Sequence, residues 1–111
     1  MDIRIETRST EYSAEEIRDR LTSLGGIGCA QVHVDAVRSL DVSTVINIVL
    51  EFSTPLVATA LGTLLGEWLF AFLKKDKTIT KIVINGMPVS LENLESSKDV
   101  VGYVGRVLDK T

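Results

Sequence analysis

The chain has 111 residues, 45% of them apolar, with 12 basic and 15 acidic side chains for a formal charge of -3. That length makes one domain, 1–111, able to bury a core without a metal or disulfide staple, and a single cysteine, Cys29, excludes an internal disulfide. The acidic balance argues against nucleic acid, which demands a concentrated basic field, and it suits a soluble cytoplasmic protein.

The opening "MDIRIETRST" has no long apolar run, so it is not a signal peptide. Residues 2–7 alternate, with Ile3 and Ile5 on one side and Asp2, Arg4 and Glu6 on the other, the pattern of a strand covered on one face. "YSAEEIRDRLTSLGG" reads as a helix. Ser13 can cap its first turn while Glu16 returns a bond to the cap, Ala14, Ile17, Leu21 and Leu24 form its stripe, and Gly25 and Gly26 stop it. "LGGIG" at 24–28 follows a helix, whereas a dinucleotide fingerprint follows a strand, so termination and a turn explain it better than phosphate.

"AQVHVDA" is a second alternating strand, with Ala30, Val32, Val34 and Ala36 on one face and Gln31, His33 and Asp35 on the other. Residues 42–52 fit two patterns. Ile46, Ile48, Leu50 and Phe52 alternate as in a strand, whereas Val45, Val49 and Phe52 also share a helical face; the β-branched content favours the strand.

Pro55 suits the first turn of a helix, and Leu56 to Leu73 carries one charge, Glu67. The stretch just reaches the minimum length of a bilayer span, but a carboxylate at its centre would cost about 2 to 3 kcal/mol or more in lipid. Its wheel gathers Leu61, Leu65, Trp68, Leu69 and Phe72 on one side and Thr59, Thr63, Glu67 and Lys74 on the other, as expected of a soluble helix lying on a sheet. Phe70 falls in the polar strip beside Gly66. With Thr63 and Lys74, those residues form a candidate interface for self-association or docking.

"TITKIVINGMPVSL" predicts a hairpin turning at Asn85-Gly86, with Pro88 placing the second arm at a sheet edge. Val100, Val101, Val104, Val107 and Leu108 mark a last helix. Gly102 and Gly105 weaken it, so it depends on docking or admits a close backbone. The expected class is α+β: a single-layer sheet of four to five strands covered by a long apolar helix and two shorter ones.

For chemistry, Cys29, His33 and Asp35 are the one combination suggesting nucleophilic catalysis, and a solvent-face histidine is the plainer account. One His and one Cys leave a zinc site short of ligands, and no cofactor motif is present. Glu15, Glu16 and Asp19 suit a solvated helix face; the lysines at 74, 75, 77 and 81 form the basic patch, of which Lys74 and Lys75 complement a helix C-terminus.

Residues 61–94, "LGTLLGEWLFAFLKKDKTITKIVINGMPVSLENL", resemble the small effector-associated constant components of bacterial conflict and signalling systems. Trp68, Leu69, Lys74 and Lys75 match the end of the family's small-residue-rich helix. Ile82 to Ile84, Asn85-Gly86 and Val89 to Leu91 match its hairpin. The segment after Leu94 departs from that pattern, and no effector is attached. The resemblance implies a non-catalytic adaptor in a defence cluster, acting as a homo-oligomer or beside a separately encoded effector, and brings no catalytic residues. A small enzyme or ligand-binding protein using the Cys29, His33 and Asp35 face is the alternative. Peripheral membrane contact through the lysine end, with no transmembrane span, is a third reading.

Overall fold

Rows of isoleucine organise the molecule. In the computed structural model, which describes residues 1–53, 58–89, 91 and 97–109, the strands are β1 (Asp2–Thr7), β2 (Ile27–Ala36), β3 (Thr44–Phe52), β4 (Ile79–Ile84) and β5 (Met87–Pro88). They form one antiparallel sheet in the order β2-β3-β1-β4-β5. Ile3 lies between Ile48 and Ile84, and Ile5 between Ile46 and Ile82; Val32 and Val34 extend the two rows onto β2. β-Branched side chains fill a pleated face well, and each fully buried isoleucine stabilises the fold by about 1.5 to 3 kcal/mol.

These rows decide the ambiguous segment. Ile46, Ile48 and Leu50 are at most 2% exposed, whereas Val49 is 39% exposed. Alternation of that kind fits a strand with its odd positions turned outward and fails for the helical face.

The helices are α1 (Ala14–Thr22), α2 (Ala58–Lys75) and α3 (Ser97–Asp109), and all three contribute to the same core as the inward sheet residues. Among the described residues, five strands and three helices make the α+β arrangement expected from the sequence. Ser13 caps α1 by accepting from the Glu16 amide, but the Glu16 carboxylate pairs with Arg20 at 3.4 Å, in place of the expected bond to the cap. α1 ends at Thr22, before the two glycines, and Gly26 takes a positive φ of 94° in the turn into β2. The hairpin turns as expected: Asn85 and Gly86 have φ of 49° and 78°, the primed geometry that matches strand twist, and β5 is the sheet edge.

α2 enters the core through Leu65 and Leu69, and α3 through Val100, Val104 and Val107. Pro55 and Leu56, assigned to the start of α2 from the sequence, lie outside the described residues. Among the described residues no helix is long and apolar enough to cross a membrane. The close backbone approach expected at Gly102 and Gly105 occurs elsewhere. A Cβ at either would meet nothing within 4 Å, whereas one on Gly66 would sit 2.6 Å from the Val101 Cα. Gly66 of α2 is therefore a point of close approach between α2 and α3.

Candidate functional site

The runner-up catalytic group does not assemble. Cys29, His33 and Asp35 are all exposed on the outward face of edge strand β2. At about 3.3 Å per strand residue, Cys29 and His33 lie about 13 Å apart, beyond any hydrogen bond. His33 is in register with Asn47 and Cys29 with Glu51, so each faces a different neighbour on an open sheet surface. Among the described residues no group of three or more metal-ligating side chains is placed to hold an ion.

The residues assigned to an interface are divided by the fold. Gly66 is buried against α3 of the same chain. Phe70, one turn further on, is half-buried and packs partly against the core. Lys74 lies with its Nζ 5.1 Å from the Phe70 ring centre. Thr63 and Lys74 are exposed.

The structure gathers polar chemistry where β1 ends, α2 ends and β4 begins. Asp76 is 8% exposed and accepts four hydrogen bonds. Its Oδ2 receives the Thr7 hydroxyl at 2.6 Å and the Tyr12 hydroxyl at 2.5 Å. Its Oδ1 receives the Thr78 hydroxyl at 2.6 Å and the Thr78 amide at 2.8 Å. A carboxylate has about four lone-pair positions, so this one is saturated. Thr7 is itself fully buried, and its oxygen also accepts from the Ser9 amide at 3.1 Å. One ionised side chain thus ties β1, the segment before α1, the end of α2 and the start of β4.

Burial pushes the Asp76 carboxyl up, but the bonds from Thr7, Thr78 and Tyr12 outweigh it and hold the group below its usual range. Tyr12 moves the other way: burial, the bond to Asp76 and the negative charge there all raise its phenol above the ordinary value. The signs follow from linkage. The Asp76 contribution is complete above 3.8, the ordinary carboxyl value, and is lost as acid carries the pH below it. The Tyr12 contribution is complete below 10.0 and is lost as pH rises past it, because the unfolded chain ionises first. Tyr12→Phe is therefore expected to lower the unfolding free energy by about 1.5 to 3 kcal/mol at neutral pH. In urea melts, the gap between wild type and variant should narrow as the pH climbs through 10.0.

Above this anchor opens a cleft of about 540 Å³ between α1 and the end of α2. Tyr12 stacks on Phe72, with ring centres 5.1 Å apart and planes 15° from parallel, and Trp68 tilts onto Phe72 at 5.4 Å. Ile17 and Ala71 complete the apolar wall; Glu11, Glu16, Arg20, Lys75 and Lys77 supply charges of both signs. Trp68 and Phe72, grouped with the buried stripe by the helical wheel, are half-buried and line this opening.

Sequence reasoning missed Asp76 and Tyr12 although signals existed. Thr7 continues the inward parity of Ile3 and Ile5, and a polar group there requires a buried partner. An aspartate directly after the last turn of α2 opposes the helix dipole and needs other compensation.

Comparison of the chain with protein-family models, curated proteins and solved structures gives no match.

Proposed function

We propose that the chain is a non-catalytic protein-interaction module whose cleft receives a partner segment bearing a bulky apolar side chain flanked by charges. The observation carrying this reading is the saturated Asp76. The one buried carboxylate at the cleft has its acceptor positions filled from within the chain, so it serves as a rigid support and not as a general base. What the cleft presents is a preformed aromatic surface with a charged rim, the composition of a contact surface. The resemblance of residues 61–94 to effector-associated constant components supports an adaptor role beside a separately encoded effector in a bacterial defence system.

Ala71 is exposed and lines the cleft, so Ala71→Arg alters the surface without touching the core. A partner recovered with the wild type from the native cell is expected to be lost with Ala71→Arg while the circular dichroism spectrum is unchanged. Trp68 is the only tryptophan, so its emission should shift when the purified partner is added. Equal recovery with the variant and unmoved emission would remove the cleft from the interaction.

A further inference from the structure

The two edges of the sheet are built differently. β5 is two residues long, includes Pro88, and has its Pro88 carbonyl bonded by the Tyr103 hydroxyl at 2.9 Å. β2 is ten residues long and regular from Cys29 to Ala36, with neither lysine nor proline along it. Natural sheets blunt free edges by shortness, proline, lysine, bulges or cover; β2 has a bulge between Ile27 and Cys29 and α1 packs beside it, but from Cys29 to Ala36 it is regular and carries neither proline nor lysine. The Val37 amide bonds Ser43 of the neighbouring hairpin arm at 2.9 Å. Bonding direction alternates along an antiparallel strand, so odd residues from Cys29 to Asp35 point to β3, and Ala30, Val32, Val34 and Ala36 turn their amides and carbonyls outward. Among the described residues no backbone group or side chain bonds to that outer edge.

We infer that β2 pairs antiparallel with β2 of a second copy, about a twofold axis at His33, joining the two sheets into one. The order Ala30, Val32, Val34, Ala36 is a palindrome about His33. In this register alanine meets alanine of the other copy, valine meets valine, and every outward amide faces an outward carbonyl. Val32 and Val34, both half-buried, gain a neighbour. On the opposite face Gln31 meets Asp35 of the other copy, and Val37, itself 37% exposed, comes opposite Cys29. Among the described residues the other edge strand, β5, is two residues long and offers no such self-complementary sequence. None of these residues lines the cleft, so the two surfaces fail or succeed separately.

The register makes a covalent test. Cys29 and residue 37 of the other copy form a non-hydrogen-bonded pair, with Cα atoms about 4.5 Å apart, close enough for a disulfide. Within one chain the same positions are separated by about 26 Å of strand and cannot bond. Under a mild oxidant, Val37→Cys is expected to yield a disulfide-linked dimer on non-reducing gels, whereas Asp35→Cys, out of register, yields far less. In sedimentation velocity the wild type should move as a dimer that dissociates on dilution. Val34→Pro removes an amide that has no partner among the described residues and should leave a folded monomer. Should that variant fail to fold, His33→Glu, at an exposed position, places two carboxylates at the axis and should also give the monomer. A wild type that is monomeric at every concentration, a dimer surviving both substitutions, or equal crosslinking at 35 and 37 would overturn the pairing.

Discussion

Asp76→Ala is expected to lower the free energy of unfolding by about 3 to 5 kcal/mol, much of what a domain of this size has to lose. The loss comes less from the aspartate than from what it leaves behind. The Thr7 hydroxyl is fully buried and donates to Asp76; without an acceptor it bears a desolvation cost of about 1 to 3 kcal/mol. The Thr78 amide and hydroxyl lose a charged acceptor as well, though Thr78 is exposed and water can replace part of it. Tyr12 is released from its bond, loosening the stack with Phe72 that forms the cleft wall. Asp76→Asn should lose less, because its amide oxygen still accepts but the charge is gone. Urea unfolding of the three proteins, with m values compared, measures these differences. A loss below about 1 kcal/mol for Asp76→Ala would show that the four bonds do not hold the elements together.

The second large effect is one kind of substitution, Gly→Ala, with opposite signs at three glycines. Gly66→Ala places a methyl 2.6 Å from both the Cα and Cγ2 of Val101. Backbone cannot step aside as a flexible side chain would, so α3 must move off α2. The expected net loss is about 2 to 3 kcal/mol, even though alanine favours the helix over glycine by about 1 kcal/mol. Gly102→Ala and Gly105→Ala meet open space, so the propensity term stands alone and each should stabilise by about 0.5 to 1 kcal/mol. Thermal unfolding of the three single variants separates the cases. Destabilisation at Gly102 would mean that another surface rests there.

The same glycines show how far the sequence could be read. Helix weakening by Gly102 and Gly105 was visible as a propensity, but which glycine receives a neighbouring backbone depends on how two helices cross, a property of tertiary packing. Phe70, half-buried beside Gly66, shows the same limit. A helical wheel separates apolar from polar directions on one helix, yet α2 has a second covered side where Val101 of α3 meets Gly66. The sheet was more legible. Alternation in residues 2–7 and 30–36, and the Asn85-Gly86 turn, are local signals that sheet packing reinforces. The candidate site was nearly invisible because its members, Thr7, Tyr12, Asp76 and Thr78, are ordinary polar residues brought together across the chain by strand pairing. Cys29, His33 and Asp35 drew attention through residue type alone, while strand geometry keeps them apart.

The division between a supporting and a reactive carboxylate is open to one direct measurement: a carbon-13 NMR titration of the Asp76 side chain. A carboxylate held by four donors should titrate below 3.8 and stay ionised down to acid unfolding. A transition near neutral pH would mean a carboxyl held protonated and available for proton transfer, and the cleft would then have to be understood as a place of chemistry.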